Sequence, residues 1–246
     1  MLAVDKESQS VLIKAESLYT LPGLPPGYYF KGGAAREQLR ILLNGKEQKV
    51  QVRDYDLVRY MHVSDEHDHE LSERFMGDDY EFGRGVEVVE NKRIYFKTRD
   101  ITQNEVLAAG GSIEASFAAL LDMEASILRP TSFVTNRAGE VLSATIAKMY
   151  RFKAEAQIEG RPATILDLPE DARLSYFSAA LNLDRSFAHS EAVALEYVQL
   201  LWEHTEVFAD FEVPPPLPAA VDRLAAEIKQ GVALFRNLPT GVLAEL

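Results

Sequence analysis

The stretch from residue 28 to residue 60 constrains this fold more than any other. A Pro/Gly-rich turn, Leu21 to Gly27, feeds the β-rich run Tyr28-Tyr29-Phe30, and the pair Gly32-Gly33 follows at once. From Ala35 onward Leu39, Leu42 and Leu43 fall at helical spacing until Asn44-Gly45 supplies a stop signal. Val50 to Tyr60 then alternates and is β-rich. The order is strand, glycine turn, helix, strand, and it predicts a mixed α/β first half.

The chain has 246 residues, 47% of them apolar, enough to bury the core of one large domain or two small ones. No apolar run approaches the length of a bilayer span, and the opening MLAVDKESQS lacks the basic and then apolar blocks of a signal peptide. The expectation is a cytoplasmic protein with no membrane partner. With zero cysteines there is no disulfide and no thiolate ligand, so any metal is held by oxygen or imidazole, which favours hard cations. A formal charge of -12 argues against a nonspecific grip on nucleic acid, while leaving room for a local basic groove.

Val86 to Val89 and Arg93 to Lys97 read as a hairpin around Glu90-Asn91-Lys92. After Gly110-Gly111 the periods turn helical: Ile113, Phe117, Leu120 and Leu121, then Leu142, Ile146 and Met149, then Leu174, Phe177 and Leu181, then Leu195, Val198 and Trp202. Pro214-Pro215-Pro216-Leu217-Pro218 breaks the pattern before a last amphipathic helix carrying Val221, Leu224, Ile228 and Phe235. The proline stretch is read as a stiff spacer rather than a ligand for a proline-reading domain. The predicted fold is α+β: a small mixed β-sheet domain over residues 1–110, opened by a short lead-in, and then an all-α region over residues 111–246.

Side chains alternate along a strand, so Asp54 and Asp56 project to one side while Tyr55 points to the other. Two such carboxylates suit a shared Mg²⁺ site; by themselves they are equally an exposed strand face. Gly32 and Gly33 let the backbone pass close to a phosphate, and the helix that follows offers free N–H groups; by itself a glycine pair is a tight turn. The succession of the two, glycine turn and helix before an aspartate-bearing strand, favours phosphate chemistry.

Gly32-Gly33-Ala34-Ala35-Arg36-Glu37 resembles the GGxxRD/E signature of class II nucleotidyltransferases, the family of CCA-adding enzymes and bacterial poly(A) polymerases, and Asp54-Tyr55-Asp56-Leu57 resembles its DxD strand. Arg99-Asp100-Ile101-Thr102-Gln103-Asn104-Glu105 is similar to the family's RRDFTxNA motif, with Arg, Asp, Thr and Asn at their spacing. Ile127-Leu128-Arg129 resembles the lead into the neck helices, and Tyr150-Arg151-Phe152 the arginine-phenylalanine step of the neck. Three ordered motifs are far more specific than any one.

The resemblance implies a five-stranded nucleotidyltransferase head and an α-helical neck and body. Asp54 and Asp56 would be catalytic and would hold Mg²⁺, with Mn²⁺ as a substitute. Glu87 would be the third catalytic carboxylate, with Glu90 second in line. Gly32, Gly33, Arg36, Arg99, Asp100, Asn104 and Arg151 would bind the nucleotide. The implied reaction moves NMP from an NTP to an acceptor hydroxyl, with an RNA 3′ end as the first candidate.

The sequence also departs from the family. Its base-reading EDxxR motif has no faithful counterpart, since Glu170-Asp171-Ala172-Arg173 has its arginine one residue early, and Thr145 and Lys148 stand where the neck helix usually carries arginines. The chain is shorter than the family's enzymes, so the RNA-binding surface is expected to be reduced, or supplied by a protein partner or a homo-oligomer. Two further readings stay open: the same fold acting on a protein or small-molecule acceptor, and a nucleotide-binding module without turnover.

His62, Asp65, Glu66, His67, Asp68, His69 and Glu70 follow the aspartate strand. They read as a mobile acidic loop over the active site, with a transition-metal site through His67 and His69 as the alternative. Arg84, Lys92, Arg93 and Lys97 read as ordinary strand charges or as a phosphate-steering surface. Tyr28, Tyr29, Tyr95, Phe96 and Trp202 read mainly as core rather than base-stacking platforms; on a strand, Tyr95 and Phe96 would face opposite sides.

Overall fold

A computed structural model of the chain describes residues 2–14, 21–44, 55–76, 85–135, 140–168, 174 and 176–204. Asp54, Arg84, the 170–173 segment, the proline stretch and the helix expected after it lie outside these residues. Backbone contacts divide the described chain into two units: residues up to Ile127 with Thr131–Phe133, and Leu128–Pro130 with the residues from Val134.

The first unit is a seven-stranded sheet. Its strands are β1 (Leu2–Asp5), β2 (Ser10–Lys14), β3 (Tyr28–Lys31), β4 (Asp56–Tyr60), β5 (Glu87–Val89), β6 (Val106–Ala109) and β7 (Ser112–Ser116), in the order β1-β2-β7-β6-β3-β4-β5. Neighbours are antiparallel except β4 and β5, which run parallel. The strand Tyr28–Phe30 and the helix α1 (Gly32–Asn44) form as predicted, except that the helix begins on the glycine pair and not after it.

Two expectations about this sheet need correction. The lead-in is a hairpin: β2 pairs with β7 through Val11↔Ala115 and Ile13↔Ile113, so the sheet has seven strands where the resemblance implied five. Ile113 belongs to that strand and not to a helix; helical structure begins at Phe117 with α4 (Phe117–Glu124). A pairing between segments so distant in sequence leaves no local signature.

Strand alternation sorts the sheet into two faces. Phe30, Leu57, Val106, Ala108, Ile113 and Ala115 pack on one face with Ala34, Ala35 and Leu39 of α1, Ala119 of α4 and Leu71 of α2 (Asp68–Met76). On the other face Val58, Val89 and Leu107 pack with Tyr95 and Phe96 of α3 (Lys92–Lys97). The expected second strand of the 86–97 hairpin is therefore a helix. Its N-cap is Asn91, whose side chain accepts from the Ile94 N–H at 3.0 Å. On a helix adjacent side chains can share a buried side, and Tyr95 and Phe96 are 0% and 4% exposed. The capping bond and the apolar sheet surface of Val58, Val89 and Leu107 together override the β-propensity of Ile-Tyr-Phe.

The second unit is mainly helical, as predicted, with α5 (Ser143–Ile158), α6 (Tyr176–His189) and α7 (Glu191–His204); the short strand Thr164–Ile165 departs from the all-α expectation. Ile146, Tyr150 and Ala154 of α5 pack with Leu183 of α6 and Val193, Tyr197 and Leu201 of α7. The fold is thus a mixed sheet followed by a helical region. Among the described residues no helix is long and apolar enough to cross a membrane.

Candidate functional site

β3 delivers Lys31 directly into Gly32, where the backbone turns into α1 with φ +59. That left-handed conformation suits glycine. The register of β3 and β4 pairs Lys31 with Asp56, which brings the Asp56 carboxylate alongside the turn. A Cβ on Gly32 would lie 2.7 Å from Asp56 Oδ2, so the missing side chain is what lets an exposed carboxylate approach the backbone. Gly33 has open space around the position of its absent Cβ.

The first and third sequence motifs meet in space. Arg36 of α1 donates through Nη1 to Asn104 Oδ1 at 2.5 Å, and Asn104 Nδ2 donates to Asp100 Oδ1 at 2.7 Å. Asp100 Oδ1 also accepts from the Ile101 N–H at 2.9 Å. Asn104 ends a short 3-10 turn, Thr102–Asn104, and is buried. The Thr102 hydroxyl donates to Asp122 Oδ2 at 2.6 Å. Asp122 is itself buried and was missed by sequence reasoning; its one signal is a carboxylate inside the apolar run of α4.

Glu87 and Arg99 also come together. Arg99 donates to Glu87 through Nη2 to Oε1 at 2.5 Å and through Nη1 to Oε2 at 3.1 Å, while Lys31 Nζ lies 2.7 Å from the same Oε2. Arg99 is further held by Nε donating to the Tyr95 carbonyl at 3.0 Å, with its guanidinium carbon 4.1 Å from the Tyr95 ring centroid. Burial pushes the Glu87 carboxyl up, but the hydrogen bonds from Arg99 and then Lys31 outweigh it and hold the group below its ordinary range. Lys31 is the second residue that sequence reasoning passed over.

Among the described residues no group of three or more His, Asp or Glu is placed to hold a metal. Asp56 offers an exposed carboxylate beside a turn free of side chains, a donor type and setting that fit a hard cation such as Mg²⁺. Its proposed companion Asp54 lies outside the described residues. Both oxygens of Glu87, expected as the third catalytic carboxylate, are turned to Lys31 and Arg99.

Arg151 lies in the second unit, where it is buried on α5; Nε donates to Asn182 Oδ1 at 3.2 Å and Nη1 to Glu155 Oε1 at 2.6 Å. The segment expected as an acidic loop is a turn-rich loop through His67, and its last residues, Asp68 to Glu70, open the helix α2. Asp68 takes Arg59 Nε at 2.9 and 3.0 Å and the Tyr28 hydroxyl at 2.8 Å. Burial and then the Asp68 bond push the Tyr28 phenol up to about 12. His67 and His69 face Glu66, Glu70 and Glu73 at 3.5 to 3.9 Å. Lys92 pairs with Asp5 at 2.8 Å and Glu114 at 2.5 Å.

No protein-family model matches this sequence, and no curated protein is significantly similar to it. Solved structures that resemble it include a tRNA nucleotidyltransferase complexed with a primer tRNA and an incoming ATP analog, 15% identical with a TM-score of 0.48 over 81% of this chain and 63% of that one. A CCA-adding enzyme in complex with ATP is 16% identical with a TM-score of 0.46, over 86% of this chain and 54% of that one. A CCA-adding enzyme of Thermotoga maritima bound to tRNA is 16% identical with a TM-score of 0.44, over 86% and 53%. The chain thus spans between 53% and 63% of the length of these proteins.

Proposed function

We propose that this chain is a metal-dependent nucleotidyltransferase that moves NMP from an NTP to an acceptor hydroxyl, with an RNA 3′ end as the acceptor. The observation that carries the reading is the junction of β3, Gly32 and β4, where a positive-φ glycine lies against the carboxylate of Asp56. The Arg36–Asn104–Asp100 bridge, which ties two of the recognised motifs into one structure, adds to it.

In this reading Asp54 and Asp56 hold the divalent ion, Mg²⁺ or Mn²⁺, which when bound supplies charge neutralisation and a more acidic attacking hydroxyl. Gly32 and Gly33 leave room for the triphosphate beside that carboxylate, and the free N–H groups at the start of α1 point to it. Asn104, fixed by Asp100, orients the Arg36 guanidinium, and Glu87 orients that of Arg99. Both arginines are thereby set in advance toward a polyphosphate, which lowers the reorganisation needed when charge builds up.

A second acceptor reading has its own observation. A cavity of about 240 Å³ lies on the same sheet face as Lys31, with Leu12, Tyr29, Leu107, Ser112 and Glu114 in its wall. It is smaller than the roughly 300–1,000 Å³ of ordinary ligand clefts, so of the alternative acceptors it admits only a small one.

The test is incorporation of each α-labelled NTP into total RNA, into the protein itself and into small-molecule products, with Mg²⁺ or Mn²⁺, for the wild type, Asp54→Ala and Asp56→Ala. Label in RNA that both substitutions abolish supports the first reading and names the base. Label confined to small products or protein moves the acceptor, and full activity in either variant refutes the mechanism.

A further inference from the structure

We propose that Lys31 is a polyphosphate-contacting cation of the nucleotide site, held in place together with Arg99 by Glu87. The proposal rests on the nucleotidyltransferase reading above and adds a residue that none of the motifs includes. Lys31 is the last residue of β3, directly before Gly32 and opposite Asp56 in the register. Glu87 is registered opposite Val58, two residues along β4 from Asp56, so the Lys31 ammonium, the Glu87 carboxylate and Asp56 share one face of the sheet.

Charge arithmetic separates this role from a plain structural ion pair. Arg99 already satisfies both oxygens of Glu87 in a two-pronged bond, at 2.5 and 3.1 Å, so the carboxylate is neutralised without Lys31. Lys31 Nζ is a second cation on Oε2, at 2.7 Å. The three side chains therefore carry one net positive charge next to Asp56. An NTP carries several negative charges into a place already lined with carboxylate, and a surplus cation there offsets the repulsion. The Lys31 side chain keeps 21% of its surface exposed against 13% for Arg99, so an incoming anion can reach it. A lysine ammonium suits this task because it meets phosphate as a compact point charge with three rotatable donors. Glu87 acts as a positioning residue, holding two cations close that would otherwise repel one another.

The test is calorimetric titration of the full chain with inorganic tripolyphosphate in the presence of Mg²⁺, alongside the KM and kcat for the preferred NTP. Lys31→Met is expected to weaken tripolyphosphate binding about tenfold and to raise KM by a similar factor while kcat changes much less. Lys31→Arg is expected to restore binding to within roughly threefold, which the loss of a merely structural contact would not predict. Lys31→Gln removes the same charge and serves if the methionine variant does not fold. Unchanged tripolyphosphate affinity in the charge-removing variants, or no binding by the wild type, overturns the proposal. Label transfer with an unaltered KM in Lys31→Met would refute the role of Lys31 and keep the transferase. Lys31-dependent tripolyphosphate binding in a chain that transfers no label would do the reverse.

Discussion

Replacing Gly32 by alanine should uncouple activity from stability, and the structure gives both magnitudes. The residue sits at φ +59, where a side chain costs about 1–2 kcal/mol. The reduced freedom of the unfolded chain returns roughly 0.4–1 kcal/mol, leaving a net loss of ~1 kcal/mol, or a melting temperature lower by about 2–4 °C. The new Cβ would meet Asp56 Oδ2 at 2.7 Å, and that atom is the end of a rotatable side chain, so the carboxylate turns away while the backbone stays. The stability cost of this movement is small. Its catalytic cost is not, because a misplacement of about 1 Å in a reacting constellation lowers rates by about a hundredfold. Gly33→Ala is the control for stability alone: its Cβ would meet nothing within 4 Å, so Asp56 stays put and stability is unchanged or higher by up to ~1 kcal/mol. Thermal melting and NTP incorporation on the same preparations decide the matter. Gly32→Ala with activity within threefold of wild type, or with a melting temperature lowered far beyond about 4 °C, would refute the reasoning.

Three further outcomes are expected. Asp68→Ala leaves the buried Arg59 guanidinium and the Tyr28 hydroxyl without their shared partner and should cost about 2–3 kcal/mol in urea unfolding, at or below the roughly 3–5 kcal/mol of a fully buried pair because Asp68 is partly exposed. Glu87, whose folded-state pKa lies below its unfolded value, contributes stability that is present above its ordinary pKa of 4.5 and is lost as the pH falls through the lower folded value. Glu87→Gln should therefore be less stable than wild type at pH 7 and converge with it in acid, as followed by melting temperature against pH; a difference that does not depend on pH would contradict the ion-pair account. Asn91→Ala removes the cap of α3 and should cost ~1 kcal/mol with Tyr95 and Phe96 still buried, checked by denaturation and near-UV circular dichroism.

Much of the first unit was legible because its signals are local. The alternation around Tyr29, the glycine pair, the helical spacing of Leu39 and Leu42 and the Asn44-Gly45 stop each lie within one turn or one strand, and the elements formed where those signals fall. The helix α3 was misread because Ile94-Tyr95-Phe96 favours a strand by composition, while its cap and the apolar face it covers decide otherwise. The hairpin β1-β2 leaves no local signal because its partner β7 is remote in sequence, and the helix that begins at Asp68 leaves none because neither Arg59 nor Tyr28 announces its bond to Asp68.

The candidate site divides along the same line. Sequence by itself determined which residue types were available and in what order: a glycine turn, alternating aspartates, an Arg-Asp-Thr-Asn run, no cysteine and a surplus of acid. Motif order even foreshadowed that Arg36, Asp100 and Asn104 belong together. What tertiary structure decided is how charge is distributed among them, with Glu87 turned to Lys31 and Arg99, Asp56 set against Gly32, and Asp122 buried beneath Thr102. Propensity and spacing act over a few bonds, whereas an ion pair forms between whichever charges the sheet register brings within about 3 Å, and that register is set by packing of the whole unit.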